Sequence, residues 1–245
     1  MNDPQSLAEN RPSMLARLMA GIADHAPGIT AGPIDDEPTP DEPGHPEYHR
    51  RQRAAFALGR WETAVPYRYQ QATAQHPEIL AWADRAAVDY RTAGFLVLTG
   101  SIGTGKTHQA YGALRRIAEA GPKRFEMIAT TAPDMYGRLR PGGSDKGTEH
   151  ELKRLCRIPL LLLDDLGTEK LSEWTEEATY RLINERYNEC LPLIITTNFA
   201  VRAASGDPSP DLVGRLGDRL ASRLSQTATL VRLDGPDLRR GLRSV

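Results

Sequence analysis

The segment Gly100-Ser101-Ile102-Gly103-Thr104-Gly105-Lys106-Thr107 sets glycines, a lysine and a hydroxyl in the spacing G-x-x-x-x-G-K-[ST]. Glycines let the main chain curl until successive N–H groups face one point, and a helix starting there adds its positive pole. The lysine ammonium reaches the outer phosphates of a nucleotide, and the adjacent hydroxyl can coordinate Mg²⁺. Gly100 to Thr107, with the adjoining His108, are therefore the candidate ATP contacts. Downstream, the apolar run Leu160-Leu161-Leu162-Leu163 ends in Asp164-Asp165-Leu166-Gly167. Asp164, at the strand end, suits Mg²⁺ held mostly through water. Asp165 suits orienting or deprotonating a water that attacks the terminal phosphate. Aspartate in place of glutamate at 165 leaves the carboxylate one methylene further from that phosphate, which predicts slow, switch-like hydrolysis.

Another apolar run closes with Thr196-Thr197-Asn198. Asn198 either holds the attacking water and feels the γ-phosphate, or simply ends a strand through its side chain. Further on, Leu216, Leu220 and Leu224 share one helical face, with Arg219 and Arg223 in an adjacent row at i, i+4. Such a row is either solvated and ion-paired or offered to the ATP of a neighbouring subunit. Arg138, Arg140 and Lys146 lie on a Gly- and Pro-containing stretch that could touch single-stranded DNA. Tyr136 is the only aromatic nearby, so base stacking would be limited, and a solvated surface loop is the alternative.

Elements that could hold these groups alternate along the chain. Strand-like runs fall at 95–98, 125–130, 159–163, 193–197 and 229–233, with helical patterns at 77–90, 106–120, 149–157, 173–190 and 211–225. Short apolar strands separated by helices predict an α/β fold, a parallel five-stranded sheet flanked by helices. The front of the chain differs. Residues 1–60 are expected to be a largely disordered, acidic and proline-rich region, with helical spacing only at 12–24, where a partner could dock.

The 245 residues carry 31 Lys plus Arg against 32 Asp plus Glu, a formal charge of −1, so nucleic acid cannot be held by a histone-like excess of positive charge. Two cysteines, Cys156 and Cys190, make neither a disulfide framework nor a four-ligand zinc site. His25, His45 and His49 sit in or beside the proline-rich tract without further ligands. The longest apolar run is far below the ~20 residues of a membrane helix, and Arg17 interrupts the one signal-like stretch. These features predict a cytoplasmic chain with no membrane contact.

The phosphate loop, LLLLDDLG, a long helix, ITTN and GDRLASRL, in this order over about residues 61–235, resemble the AAA+ ATPases of the helicase-loader group. The likeness is to DnaC/DnaI-type loaders and to the transposition helper IstB. It implies a P-loop NTPase core of the AAA+/ASCE kind without a full C-terminal helical lid, because the tail at 236–245 is too short for one. It places Asn198 at the sensor position, Arg223 at the finger reaching across a subunit interface with Arg219 as the other choice, and Tyr67, within Val65-Pro66-Tyr67-Arg68-Tyr69, beside the adenine. Glu169 recurs in the group without an assigned role. The implied function is ATP-dependent loading of a replicative hexameric helicase, with ssDNA binding and homo-oligomerisation when ATP is bound. A transposase helper is the alternative within the group. A small-molecule kinase would need a mobile arginine-rich lid that the sequence does not offer, and a non-hydrolysing ATP-gated adaptor completes the set. Zinc-binding front domains occur in DnaI-type loaders, but no cysteine lies in this front.

Overall fold

Five short strands, β1 (Phe95–Thr99), β2 (Met127–Thr131), β3 (Leu160–Asp164), β4 (Leu193–Thr196) and β5 (Ala228–Arg232), lie in the order β2-β3-β4-β1-β5 in the computed structural model. All four pairings are parallel. Every residue of β1, β3 and β4 is buried, as central strands covered on both faces require. The structure describes Gly21 and residues 38–168, 172–202 and 209–238. The expected helix at 12–24, apart from Gly21, and Glu169 lie outside these residues.

Among the described residues from 38 onward the α-helices are α1 (Pro46–Ala64), α2 (Pro77–Val88), α3 (Tyr90–Ala93), α4 (Lys106–Glu119), α5 (Ala132–Leu139), α6 (Thr148–Arg157), α7 (Glu173–Asn188), α8 (Leu212–Leu216) and α9 (Asp218–Thr227). The pleat sends alternate strand side chains to opposite faces. Leu96, Leu98, Leu160, Leu162, Ile194 and Val231 meet Trp61, Ile79, Trp82, Leu114 and Ile117 of α1, α2 and α4. Phe95, Val97, Leu161, Leu163, Leu193 and Ile195 meet the apolar sides of α5, α6, α7 and α9. Two cores thus clamp one sheet.

Several expectations change. The chain divides between His45 and Pro46, so the boundary falls well before Trp61. Residues 46–60, expected to be disordered, belong to α1, which buries Ala57 and Trp61 and is tied by Arg53 Nε donating to Gly121 O at 2.9 Å. The single helix expected over 211–225 is two, broken at Gly217, whose φ of +84° no β-branched or bulky residue adopts easily. The pattern over 77–90 is also split, because Asp89 takes extended backbone and caps α3 through the Arg91 N–H.

At the N-terminal end of the central strands stands Arg186 of α7, fully buried. Its guanidinium donates to the carbonyls of Leu155, Cys156, Ile158 and Pro159 ahead of β3, and of Pro192 ahead of β4. It satisfies main-chain acceptors that burial would otherwise orphan.

Candidate active site

β1 runs directly into the phosphate loop, and the loop into α4. Gly103 and Gly105 both have φ of +88°, which lets the loop reverse, with Gly105 as the helix N-cap. Lys106 is nearly buried, and its Nζ donates to Gly100 O at 2.8 Å and Ser101 O at 2.7 Å. The loop therefore exists as a folded curl with its ammonium at the centre. Around it opens a cavity of about 660 Å³ at the carboxyl ends of the strands, where strand order reverses and α/β sheets bind ligands. Ile102 to Gln109, Asp165 and Asn198 line it, together with Arg68, Tyr69, Gln75 and Leu238.

The acidic pair is divided by the backbone. Asp164 completes β3 and is buried, whereas Asp165 turns out of the sheet with φ of +56°. That left-handed position costs an ordinary L-residue roughly 1–2 kcal/mol and is most tolerable for Asn, Asp or Gly. Three bonds fix the turn: Asp165 N–H to Thr196 Oγ1 (2.9 Å), Leu166 N–H to Thr196 O (2.9 Å) and Thr168 Oγ1 to Asp165 O (2.9 Å). Arg215 adds a fourth tie, stacking on Phe199 and donating to Gly167 O.

Asp164 Oδ1 accepts from Thr107 Oγ1 at 3.0 Å and from Thr196 Oγ1 at 2.5 Å. Burial pushes the pKa of Asp164 up; the Thr196 bond opposes this, the nearby Asp165 charge adds to it, and the Thr107 bond and Lys106 oppose it. A desolvated carboxylate beside a hydroxyl whose hydrogen points at that carboxylate, leaving its lone pairs free, is a hard-oxygen donor set, which fits Mg²⁺. Thr196 was not singled out in the sequence. Its hydroxyl nevertheless joins both aspartates, and its position opposite the acidic strand end was the available signal.

Other expected residues fare differently. Tyr67 does not face the cavity: Tyr67–Tyr69 is a 3₁₀ turn, Tyr67 is 90% exposed, and Arg68 and Tyr69 line the wall instead. Pro66 starts this turn, and Tyr69 stacks on Tyr111 of α4 at 4.8 Å, fixing which tyrosine turns inward. His108 accepts from Thr73 N–H and Gln109 from Gln75 N–H, so both brace this wall against α4. Arg223 is held within its own chain, over the rings of Tyr180 and Tyr187 at 5.1 and 5.6 Å and donating to Tyr180 Oη and Arg219 O. Arg219 is exposed. Arg138 lies in α5 and not in the loop, 3.9 Å from Glu151, while Arg140 and Lys146 are exposed in the turns that follow.

The model of the IstB-like ATP binding protein family matches residues 47–240. The chain belongs to the IstB-like ATP-binding family. Among curated relatives it is 30% identical over 159 residues to an insertion-sequence ATP-binding protein of Mycobacterium tuberculosis, covering 64% of this chain and 60% of that protein. It is 26% identical over 149 residues to the replicative helicase loader DnaI of Bacillus subtilis, covering 59% and 47%. The match thus spans less than two thirds of either relative. A solved DnaC helicase loader superposes with a TM-score of 0.57 at 29% identity, covering 69% of this chain and all of that one. The IstB-like fold is the AAA+ P-loop fold of these neighbours, and the family is one of ATPases. Among the described residues no helix is long and apolar enough to cross a membrane.

Proposed function

We propose that this IstB-like chain is an ATP-driven assembly switch that delivers a replicative hexameric helicase to single-stranded DNA. The observation that carries this reading is the Thr107–Asp164–Thr196 cluster at the phosphate loop, with Asp165 and Asn198 lining the same cavity. The curled loop binds the phosphates through its N–H groups, and Lys106 exchanges its carbonyl partners for phosphate oxygens. Thr107 and Asp164 would hold Mg²⁺, which offsets charge on the outer phosphates when bound. Asp165 orients the attacking water or takes its proton, with Asn198 as the facing amide. Its short side chain keeps turnover slow. Arg219, being exposed, is the arginine that reaches a neighbouring subunit's ATP, while Arg223 fixes α9 on α7. Arg140 and Lys146 contact DNA phosphates.

A helicase as partner is supported by the DnaC match, which covers the whole of that solved chain, and by the DnaI relative. A second reading, the ATPase helper of a transposase, is favoured by the family model and by the insertion-sequence relative. Sedimentation with ATP and Mg²⁺, with and without ssDNA, tests the shared part on wild type, Lys106→Ala and Arg219→Ala. Wild type is expected to assemble on ssDNA and hydrolyse ATP, Lys106→Ala to do neither, and Arg219→Ala to bind ATP without hydrolysing it. A wild type that hydrolyses ATP as a monomer, unaffected by Arg219→Ala, overturns the reading. Pull-downs with the host helicase and with a transposase then separate the two partners.

A further inference from the structure

The chain beyond β5 does not leave the nucleotide cavity. β5 pairs with β1, and the pairing continues past its end as Leu233 N–H donates to Thr99 O at 2.8 Å. Leu233 O then lies so close to Gly100 that a Cβ there would be 2.1 Å away. Gly235 and Pro236 turn the chain across the phosphate loop, where Leu238 N–H donates to Gly103 O at 3.0 Å. The Leu238 side chain lines the cavity, and its Cδ1 would touch a Cβ on Gly105 at 3.4 Å. The carboxylate of Asp237 comes against Gly103 itself: a Cβ at that glycine would lie 2.0 Å from Oδ1 and 2.3 Å from Cγ. A negative group is therefore seated on the loop built to receive negative groups. Leu238, 58% exposed, rests at the cavity mouth with little burial to hold it.

We propose that residues 234–238 form a charge gate on the nucleotide site, in which Asp237 opposes the incoming triphosphate and the segment lifts off the loop when ATP binds. The proposal rests on the reading of the cavity as an ATP site. Carboxylate and phosphate compete for the same positive main-chain field, so binding of one weakens seating of the other. Because the opposition is Coulombic, it grows with ligand charge and is felt more by ATP than by ADP. The bond from Leu238 N–H to Gly103 O is the latch, and the gate opens when it breaks.

The test titrates full-length wild type, Asp237→Asn and Lys106→Ala with a fluorescent ATP analogue and with its ADP counterpart. It is paired with hydrogen exchange of the Leu238 amide. Asparagine keeps the shape and removes the charge. Asp237→Asn is expected to tighten ATP binding by roughly five- to tenfold and ADP binding by less, with the gain shrinking in high salt. The Leu238 amide of the wild type is expected to lose protection on ATP addition. If wild type binds ATP but Asp237→Asn binds it no better, or if Leu238 gains protection, the segment is a clamp and the gate is overturned. If Asp237→Asn alone binds, the gate stands in a stronger form. Wild type and Asp237→Asn binding no better than Lys106→Ala sinks the ATP site itself, and the gate with it.

Discussion

Replacing Thr196 by valine removes one oxygen while keeping shape and β-branching, and so isolates the link between the two aspartates. The wild-type hydroxyl donates to Asp164 Oδ1 at 2.5 Å and accepts from Asp165 N–H at 2.9 Å. A bond to an ionised carboxylate contributes about 1.5–3 kcal/mol and a neutral one about 0.5–1.5 kcal/mol. Their sum, about 2–4.5 kcal/mol, is reduced by about 1 kcal/mol of favourable methyl burial. A domain with a typical stability of about 5–15 kcal/mol stays folded under this loss. The functional cost is larger in proportion. Asp165 holds a left-handed backbone against a local penalty, and without its Thr196 anchor it relaxes away from the γ-phosphate position. Losing about 2 kcal/mol of positioning in the transition state alone corresponds to a fall in kcat of about 30-fold. The phosphate loop is untouched, so ATP affinity should stay within about threefold. The assay is steady-state hydrolysis beside equilibrium titration of ATP on the same preparations, with urea unfolding as the folding control. An unchanged kcat in a folded variant, or a fall in affinity as large as the fall in kcat, refutes the reasoning.

Arg186→Leu should remove most of the stability, by more than about 4 kcal/mol, because buried carbonyls ahead of β3 and β4 lose their donors; the urea midpoint reads this, and Arg186→Lys should recover only part. Gly112→Ala should destabilise by about 2 kcal/mol or more despite alanine's better helix propensity, since the new Cβ would sit 2.2 Å from Ala74 N and push away the wall carrying Arg68 and Tyr69; thermal unfolding and ATP affinity should both fall. Of the two thiols, exposed Cys190 should react with a disulfide reagent in the native protein while Cys156 stays silent until unfolding. Burial raises the Cys156 thiol to about 11 from an ordinary 9.0. The native state therefore keeps this proton while the unfolded chain loses it, and stability from this group falls as pH rises through 9 towards 11.

The sequence carried the strands and the phosphate loop because both are local. An apolar run bounded by a glycine turn reads the same in any context, and the loop's chemistry is fixed by adjacent residues. Tyr67 and Tyr69 show where that ends. In a strand the two would share a face, whereas in the 3₁₀ turn that Pro66 begins they separate, and a distant ring, Tyr111, selects Tyr69. The helix Pro46–Ala64 was hidden for a related reason. Its sequence is crowded with charge, and only Ala57 and Trp61 are buried, too few for a visible stripe. For Arg223, which the resemblance placed at the finger position, the i, i+4 spacing describes one helix and says nothing of its contacts with Tyr180 and Tyr187 on the neighbouring one.

Thr196 and Arg186 were illegible singly, yet they are two ends of one device. An arginine within a polar helix reads as solvated, and a threonine in a strand reads as a β-former. β3 and β4 pair with Leu161 opposite Leu193, Leu162 opposite Ile194 and Leu163 opposite Ile195. One more step along this ladder brings the Thr196 hydroxyl onto Asp164. A slip of one residue would turn every side chain of one strand to the other face, and would place where the carboxylate needs a donor either Ile195, which has none, or Thr197, whose hydroxyl is committed to Leu166 O. Leucine and isoleucine alone are poor guards against such a slip, because either register buries apolar groups on both faces of this sheet. Arg186 guards against it from the opposite end, because its planar fork meets carbonyls fixed in sequence ahead of each strand and cannot follow one strand sliding past the other. The stability of the buried arginine and the chemistry of the acidic pair are therefore one geometric problem, solved by the length and register of two strands.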